Sequence, residues 1–187
     1  MIDSFCGAKA ELIRSARKTL SVQIGGPDRI VIRAPLRMPE NRILAFLEEK
    51  RDWIRGKLEA QKKEGPVRKL TEEELALLTR QAREVLPAMT AAYAARVGVT
   101  YGRITIRHQR SKWGSCSAKG NLNFNCLLML VPAEVREYVV VHELCHRLEM
   151  NHSARFWAQV GRVLPDYRAR EAWLKQHGNL LIRSLPE

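Results

Sequence analysis

Acidic residues are scarce in this chain of 187 residues, which carries 20 Asp and Glu against 32 Lys and Arg and has a formal net charge of +12. It also lacks long apolar runs: stretches such as 126–132 are far shorter than the roughly 20 residues that span a bilayer. No basic, apolar leader begins the chain, and four cysteines are too few for a disulfide framework. These absences predict a cytoplasmic protein without a membrane segment.

Hydrophobic residues make up 45% of the chain, and this fraction predicts a folded core and argues against disorder. The length suits one domain with a modest extension. The pair Gly65-Pro66 is the best candidate for a boundary because both residues break regular structure. We therefore predict an N-terminal subdomain over 1–64 and a larger domain over 65–187.

The N-terminal segment has two local patterns. Apolar residues alternate over 19–34 around Gly25-Gly26-Pro27-Asp28, which predicts a β-hairpin. Pro39 then begins a helical pattern that reaches the boundary and counts Trp53 among its apolar positions. A hairpin followed by one helix is the expected structure.

The larger segment mixes helix and strand signals. Thr71 and Glu74 form a capping box at the start of a helix that Pro87 is expected to kink or interrupt and Gly98 to end. Strands are predicted at 103–107 and 121–131, with a polar loop over 109–120, and shorter helices after Pro132, after Ser153, and from Tyr167 to about His177. This order predicts an α+β fold.

Residues 142–146 have the sequence HELCH and match the H-E-x-x-H zinc motif. On a helix, His142 and His146 lie one turn apart on the same face, so both imidazoles can bind one metal ion. Zinc lowers the pKa of water to about 7, and Glu143 lies close enough to take a proton from it. Three valines precede the motif and indicate a buried helix, where unpaired polar groups are costly. A zinc site is favoured over two surface histidines that flank a glutamate by chance.

A catalytic zinc ion usually has three protein ligands and one open position. His152 is the best third ligand, because it follows His146 by the spacing of the longer H-E-x-x-H-x-x-G-x-x-H pattern. That pattern has glycine where this chain has Glu149, and we expect Asn151 to supply the turn in a left-handed conformation. The rival ligands are Glu149, Asp166, Glu171 and His177.

The motif and its surroundings resemble the YgjP-like metallopeptidases, small cytoplasmic proteins similar to the SprT-like zinc proteases. The resemblance rests on Lys112-Trp113-Gly114-Ser115-Cys116, VVVHELCH at 139–146, Asn151-His152-Ser153 and Phe156-Trp157, and in the first half on the strand pair, Arg33-Ala34-Pro35 and the Trp53 helix. It implies zinc bound by His142, His146 and His152, with Glu143 as the general base. It also implies a zincin-like domain whose active-site helix packs against a small sheet with an edge strand for an extended peptide.

The stretch between Glu84 and Glu134 contains no carboxylate but six basic residues, and such a face attracts polyanions. Segment 96–119 is therefore a candidate nucleic-acid contact, and Arg110, Lys112 and Trp113 are candidates for substrate binding. A basic surface that only keeps the protein dispersed is the alternative. For Trp113 and Gly114 we favour structural roles, Trp113 against the core and Gly114 in a turn.

The leading hypothesis is a zinc-dependent metallopeptidase that cleaves peptide bonds and acts near nucleic acid. The alternatives are a metal-dependent hydrolase of phosphoanhydrides such as nucleoside triphosphates, and a nucleic-acid-binding module with a structural zinc ion. The candidates for stabilising an oxyanion are His108, Tyr138, Tyr167, Arg168 and His177. Asp166 or an asparagine within 121–125 is a candidate to orient a ligand histidine.

Overall fold

The computed structural model describes residues 2–186, apart from the side chain of Glu64. The chain divides into two units, Met1–Pro66 and Val67–Glu187. Within the described residues, no helix combines the length and the apolar character needed to cross a membrane. The proposal that 1–64 and 65–187 are separate domains stays a prediction.

The N-terminal unit is built on a four-stranded sheet in the order β1-β2-β4-β3. The strands are β1 (Ser4–Phe5), β2 (Ala8–Ser15), β3 (Ser21–Gly26) and β4 (Arg29–Pro35). The antiparallel β3–β4 pair confirms the predicted hairpin. Sequence reasoning missed β2, which pairs with β4 in parallel and places Ala10 opposite Ile30. Small buried residues gave this strand a weak alternating pattern.

Two helices, α1 (Glu40–Glu49) and α2 (Arg51–Glu64), follow the sheet where one was predicted. Lys50 separates them with φ −96° and ψ 6°, outside the α-helical region. The core of this unit joins both helices to the sheet through fully buried isoleucines and leucines: Ile30, Ile32, Ile43, Leu47 and Ile54. Trp53 is 48% exposed and does not belong to this core, contrary to its place in the apolar pattern.

Helix α3 (Glu72–Val97) begins the second unit and confirms both predicted ends. The hydroxyl of Thr71 accepts the N–H of Glu74 (3.2 Å), and the Glu74 carboxylate accepts the N–H of Thr71 (2.8 Å). Gly98 ends the helix in a left-handed conformation. Pro87 does not interrupt the helix, which is one of the two outcomes predicted there: the helix continues through it, because burial of one face from Leu78 to Val97 offsets the missing hydrogen bond.

A three-stranded sheet in the order β5-β7-β6 lies after α3. Its strands are β5 (Ile104–Arg107), β6 (Gly114–Cys116) and β7 (Leu122–Asn125). Strand β6 falls inside the predicted loop, and the predicted strand over 121–131 continues from 126 to 130 as a 3₁₀ helix. The break comes at Asn125, whose side chain accepts the N–H of Leu127 (3.1 Å) and so begins the helical turn.

Three helices complete the unit: α4 (Ala133–Cys145), α5 (Ala154–Val163) and α6 (Tyr167–Arg183), the last longer than predicted. Helix α4 contacts α3, α5, α6 and the edge strand β6, so it is surrounded on most sides. Val140, Val141 and Leu144 are completely buried. The structure confirms the predicted α+β class, with the motif helix packed beside a small sheet.

Candidate metal centre

Helix α4 carries the first two predicted site residues and ends at the third. His142 and Glu143 lie in its last turn, and His146 is its C-cap. The N–H of Glu149 donates to the carbonyl oxygen of Cys145 (3.0 Å), which closes one final turn before the chain changes direction. His142 and His146 therefore project from the same face of one helical turn.

The chain turns back after α4 and brings His152 beside the two earlier histidines. Asn151 Oδ1 accepts the N–H of Ser153 (3.1 Å), and Ser153 Oγ accepts the N–H of Phe156 (3.4 Å) at the start of α5. The predicted left-handed conformation of Asn151 is wrong, because among described non-glycine residues only Cys6 has a positive φ. The side-chain hydrogen bond makes an Asx turn, so the backbone needs no left-handed residue here.

The three imidazoles form one cluster. Each contributes a ring nitrogen, and these nitrogens all lie within 4.8 Å of one another. Nε2 of His142 and Nε2 of His152 are 3.0 Å apart. Within residues 2–186, this is the one group of three or more His, Cys, Asp or Glu side chains with metal-binding spacing.

The rival ligands are engaged elsewhere. Glu149 lies beyond the end of α4, and its carboxylate is 3.4 Å from Nε of Arg155. The others pair with neighbours on their own helix: Asp166 with Arg170 (3.0 Å), Glu171 with Lys175 (2.7 Å), and His177 with the ring of Trp173 (4.6 Å between centroids).

The hydrogen bonding of two ligand rings differs. Nδ1 of His146 lies 3.0 Å from the carbonyl oxygen of Glu149, so that its proton is held there and Nε2 remains a lone-pair donor. Nδ1 of His142 is buried and has no hydrogen-bond partner among the described residues. None of the asparagines 121–125 nor Asp166 is hydrogen-bonded to a ligand histidine.

Aromatic side chains from α5 pack against the imidazoles. The ring of Phe156 is completely buried and lies 4.6 to 4.9 Å, between centroids, from those of all three histidines. The ring of Trp157 lies 5.8 Å from His142 and 5.7 Å from His152. These contacts limit ring rotation and exclude water from one side of the cluster.

Burial controls the charge state of the cluster. It lowers the pKa of His142 to about 3, helped by the charges of His146 and His152, and it also lowers the pKa of His146. Both rings are therefore neutral at pH 7, the form that binds a metal ion. Burial raises the pKa of Glu143 to about 8, while the nearby Lys112 ammonium opposes that rise. Without a metal ion this carboxyl is therefore largely protonated at pH 7, and the positive charge of a bound divalent ion would favour its carboxylate form, the form that accepts a proton.

Gly114, the first residue of β6, makes room for Glu143. A Cβ atom at Gly114 would lie 2.6 Å from Glu143 Oε1 and 2.7 Å from Cγ, closer than any real contact. The predicted turn at Gly114 is wrong, since the residue lies in a strand with no positive φ. Its missing side chain leaves the space that Glu143 of α4 occupies.

The candidate substrate-binding residues lie on the segment that leads into β6. Trp113 is half-buried against the core, and its indole faces Gly178 of α6, where a Cβ would be 3.1 Å away. Arg110 donates to the carbonyl oxygen of Pro186. Lys112 is exposed and close enough to Glu143 to affect its pKa. Trp113 thus has the structural packing that we favoured.

Sequence reasoning missed the role of Asn125, which holds this segment in place. Its side chain is buried, and Nδ2 donates to the carbonyl oxygens of Gln109 (2.6 Å) and Lys112 (3.0 Å). Its backbone N–H donates to the carbonyl oxygen of Trp113 (2.8 Å). An asparagine directly before the apolar run 126–132 was the available signal.

The candidates for oxyanion stabilisation separate by position. Tyr138 lies one turn before His142 on α4, with 5.8 Å between the ring centroids. Tyr167 stacks on Trp157, which itself contacts the histidines. His108 lies instead on Thr79, with its Nε2 2.8 Å from Oγ1.

The cluster fits a divalent metal ion. It offers three nitrogen donors within 4.8 Å of one another, and burial keeps two of the three rings neutral. Such a set suits the borderline-soft metals better than magnesium or calcium, which prefer oxygen ligands.

Comparisons with known proteins give one match of structure and one of family. The metallopeptidase zymogen of Pyrococcus abyssi abylysin aligns with a TM-score of 0.45 and 23% identity over 51% of this chain and 95% of that one. No curated protein matches. The model of the YgjP-like family, described as a metallopeptidase domain, matches residues 18–78 and 67–177. The chain therefore belongs to the YgjP-like metallopeptidase family and is a metal-dependent peptidase.

Proposed function

We propose that the protein is a zinc-dependent peptidase in which His142, His146 and His152 hold the metal ion and Glu143 is the general base. The observation that carries this proposal is the convergence of three ring nitrogens within 4.8 Å, with Glu143 on the same helical turn as two of them. Three histidines with one open position are typical of catalytic zinc sites. Structural zinc sites are closed and rich in cysteine, and no cysteine belongs to this cluster.

Each residue has a distinct part in the reaction. When bound, zinc lowers the pKa of water and polarises the substrate carbonyl. Glu143 accepts the proton of the attacking water and delivers it to the leaving amine. Its buried position beside Gly114 keeps the carboxylate on one side of the cluster, and Phe156 keeps the imidazoles in place on the other.

An extended peptide would bind along β6. This strand is the edge of its sheet, it is paired with β7 on one side only, and it begins at the residue that contacts Glu143. A substrate strand that pairs with this edge would bring its backbone past the metal cluster. Lys112 and Arg110 precede β6 and are proposed to contact the substrate.

We also propose a contact with nucleic acid through segment 96–119. Five exposed basic residues support it, and no carboxylate lies within ion-pair distance of them in the described part of the chain: Arg103, Arg107, Arg110, Lys112 and Lys119. Binding of a DNA or RNA duplex should weaken as salt rises, and it should weaken further in a Lys112→Ala, Arg107→Ala double variant. Salt-independent binding, or none, contradicts this contact.

A cytoplasmic location is the compartment we propose. All four cysteines are free: Cys6, Cys116, Cys126 and Cys145. Free thiols persist where glutathione and thioredoxin keep them reduced.

The Glu143→Gln variant tests the peptidase mechanism. The amide keeps the size of the side chain but cannot accept a proton, so zinc content should equal that of the wild type while peptide hydrolysis falls by at least about a hundredfold. Elemental analysis and cleavage of an unstructured protein such as casein measure the two quantities. Nucleoside triphosphates assayed in parallel separate the peptidase from a phosphoanhydride hydrolase.

The matched control is Glu73→Gln, an exposed carboxylate on α3 in the first turn. It should alter neither zinc content nor hydrolysis. Undiminished hydrolysis in Glu143→Gln would show that Glu143 is not the base. A wild-type protein that binds zinc and nucleic acid but hydrolyses no peptide would favour the structural-zinc alternative. His152→Ala with full zinc content would show that His152 is not a ligand.

A further inference from the structure

An open pocket of about 730 Å³ lies between α5 and α6. We refer to it as the α5–α6 pocket. Six residues line it: Ala154, Trp157, Ala158, Tyr167, Arg168 and Glu171. None of them is a member of the histidine cluster, and although Tyr167 and Arg168 are candidates for oxyanion stabilisation, no step of the proposed hydrolysis is assigned to any of the six.

The pocket shares a wall with the histidine cluster. Trp157 lines the pocket, and its ring lies 5.8 Å from the ring of His142 and 5.7 Å from that of His152. Glu143 and β6 lie on a different side of α4's last turn, where Gly114 contacts the carboxylate. A group in the pocket would therefore be separated from a metal ion at the cluster by little more than one indole.

The inner surface of the pocket is apolar. The rings of Trp157 and Tyr167 are stacked with 5.3 Å between centroids and only 14° between planes, which makes a rigid aromatic face. Ala154 and Ala158 are exposed and add only methyl groups. This surface suits the hydrocarbon part of a side chain.

The rim of the pocket carries one available charge. The carboxylate of Glu171 is 2.7 Å from the ammonium of Lys175, so its charge is already compensated. Arg168 is exposed, its Nε is 3.4 Å from the hydroxyl of Tyr167, and among residues 2–186 no carboxylate lies within ion-pair distance of it, so that the Glu171 carboxylate acts on its charge only at longer range. An exposed guanidinium with no carboxylate in ion-pair distance attracts a planar anion such as a carboxylate and repels a cation.

We propose that the α5–α6 pocket binds a carboxylate-bearing residue of the substrate close to the cleaved bond, with the carboxylate on Arg168 and the hydrocarbon part on Trp157 and Tyr167. The carboxylate belongs either to a glutamate side chain or to the C-terminus of the peptide. This inference rests on the proposed peptidase function and gives that function a substrate class.

Peptide binding to the zinc-loaded Glu143→Gln protein tests the pocket without turnover. Three acetylated tripeptides serve as probes: Ala-Glu-Ala amide, Ala-Ala-Ala with a free C-terminus, and the neutral Ala-Gln-Ala amide. The indole N–H signal of Trp157, identified by its absence in Trp157→Phe, is followed by NMR to obtain each dissociation constant. At least one carboxylate peptide should bind about fivefold tighter than the neutral one, as a charge-assisted hydrogen bond requires.

The variant Arg168→Gln should abolish this preference, and Arg168→Lys should retain part of it. The matched control is Arg80→Gln, which removes an exposed helical arginine from α3 and should leave the preference unchanged. The tripeptide that binds tighter identifies the source of the carboxylate. Equal binding of all three peptides, or a preference that survives in Arg168→Gln, overturns the proposal, since the second result would show that the metal ion itself binds the carboxylate.

Cleavage by the wild-type protein separates this proposal from the function on which it rests. If zinc-loaded wild type hydrolyses peptides without any Arg168-dependent preference for carboxylates, the pocket proposal fails and the peptidase stands. If Arg168-dependent binding is found but no peptide is hydrolysed, the peptidase fails and the pocket remains a carboxylate site.

Discussion

Gly114 and Glu143 lie against each other where strand β6 meets the last turn of α4. Strand β6 approaches α4 so closely that the space a Cβ would need is occupied by the carboxylate. That carboxylate is buried, and burial raises its pKa to about 8. The glycine therefore supplies the room that Glu143 occupies, and the proposed role of Glu143 as the base depends on that room.

Replacing Gly114 by alanine should displace Glu143 while leaving the histidines untouched. Because a misplaced base is inefficient, we expect kcat/KM for peptide hydrolysis to fall by about tenfold or more, with zinc content unchanged. Steady-state kinetics and elemental analysis measure the two. The matched control is Gly56→Ala on α2, where a Cβ meets nothing within 4 Å and activity should stay at the wild-type level. Wild-type activity in Gly114→Ala would show that Glu143 is free to move aside.

The residues of the motif could be predicted because their spacing alone determines their geometry. His142 and His146 share a face on any helix, so the pair was evident before the structure was known. The contact between Gly114 and Glu143 joins residues 29 positions apart, and the buried bonds of Asn125 reach 13 and 16 positions back. Such contacts depend on how distant segments of the chain pack against one another, and no pattern in the local sequence predicts that packing.

At the scale of elements, the third histidine depends on how α5 begins. His152 directly precedes Ser153, whose hydroxyl caps the helix, and Asn151 fixes the turn through its bond to the same residue. Elements with such local signals were predicted well: α3 has its capping box, and β3 and β4 have their turn. Strand β2 was missed because its parallel pairing with β4 is made across a chain crossover.

Two helix-cap variants, one beside His152 and one far from it, distinguish a loss of stability from a loss of metal binding. Ser153→Ala and Thr71→Ala each remove a hydroxyl that caps a helix, so each should lower the free energy of unfolding by about 1 kcal/mol. Only Ser153→Ala should also weaken zinc binding, by up to about fivefold if the whole loss falls on the turn that holds His152. Urea denaturation and competition with a chelator give the two quantities. Equal zinc affinity in both variants would show that His152 is held independently of the cap.

At the scale of the whole molecule, the two units have separate cores. One hydrophobic cluster draws its buried residues from 2–58 and the other from 78–185. The second cluster includes residues of α4, which carries His142 and ends at His146, and of α5, which begins just after His152. A unit with its own core and a complete site has what it needs to fold alone.

We therefore expect a chain restricted to residues 67–187 to fold and to bind zinc. It should show helical circular dichroism, a single cooperative unfolding transition and one zinc ion per chain by elemental analysis. The full-length protein measured in parallel is the reference. A non-cooperative transition in the shorter chain would contradict the division into two domains and show that the first unit is required for folding of the second.

The exposure of His152 has a kinetic consequence. His142 and His146 are partly buried, whereas His152 is exposed and lies within the turn in which Asn151 Oδ1 accepts the N–H of Ser153. A metal ion would therefore enter and leave on the side of His152, and opening of the turn would set the rate of release. Asn151→Ala should accelerate zinc dissociation, measured with a chromogenic chelator in excess, more than it changes the association rate. The stability of the turn would then determine how long a zinc ion stays bound to the protein.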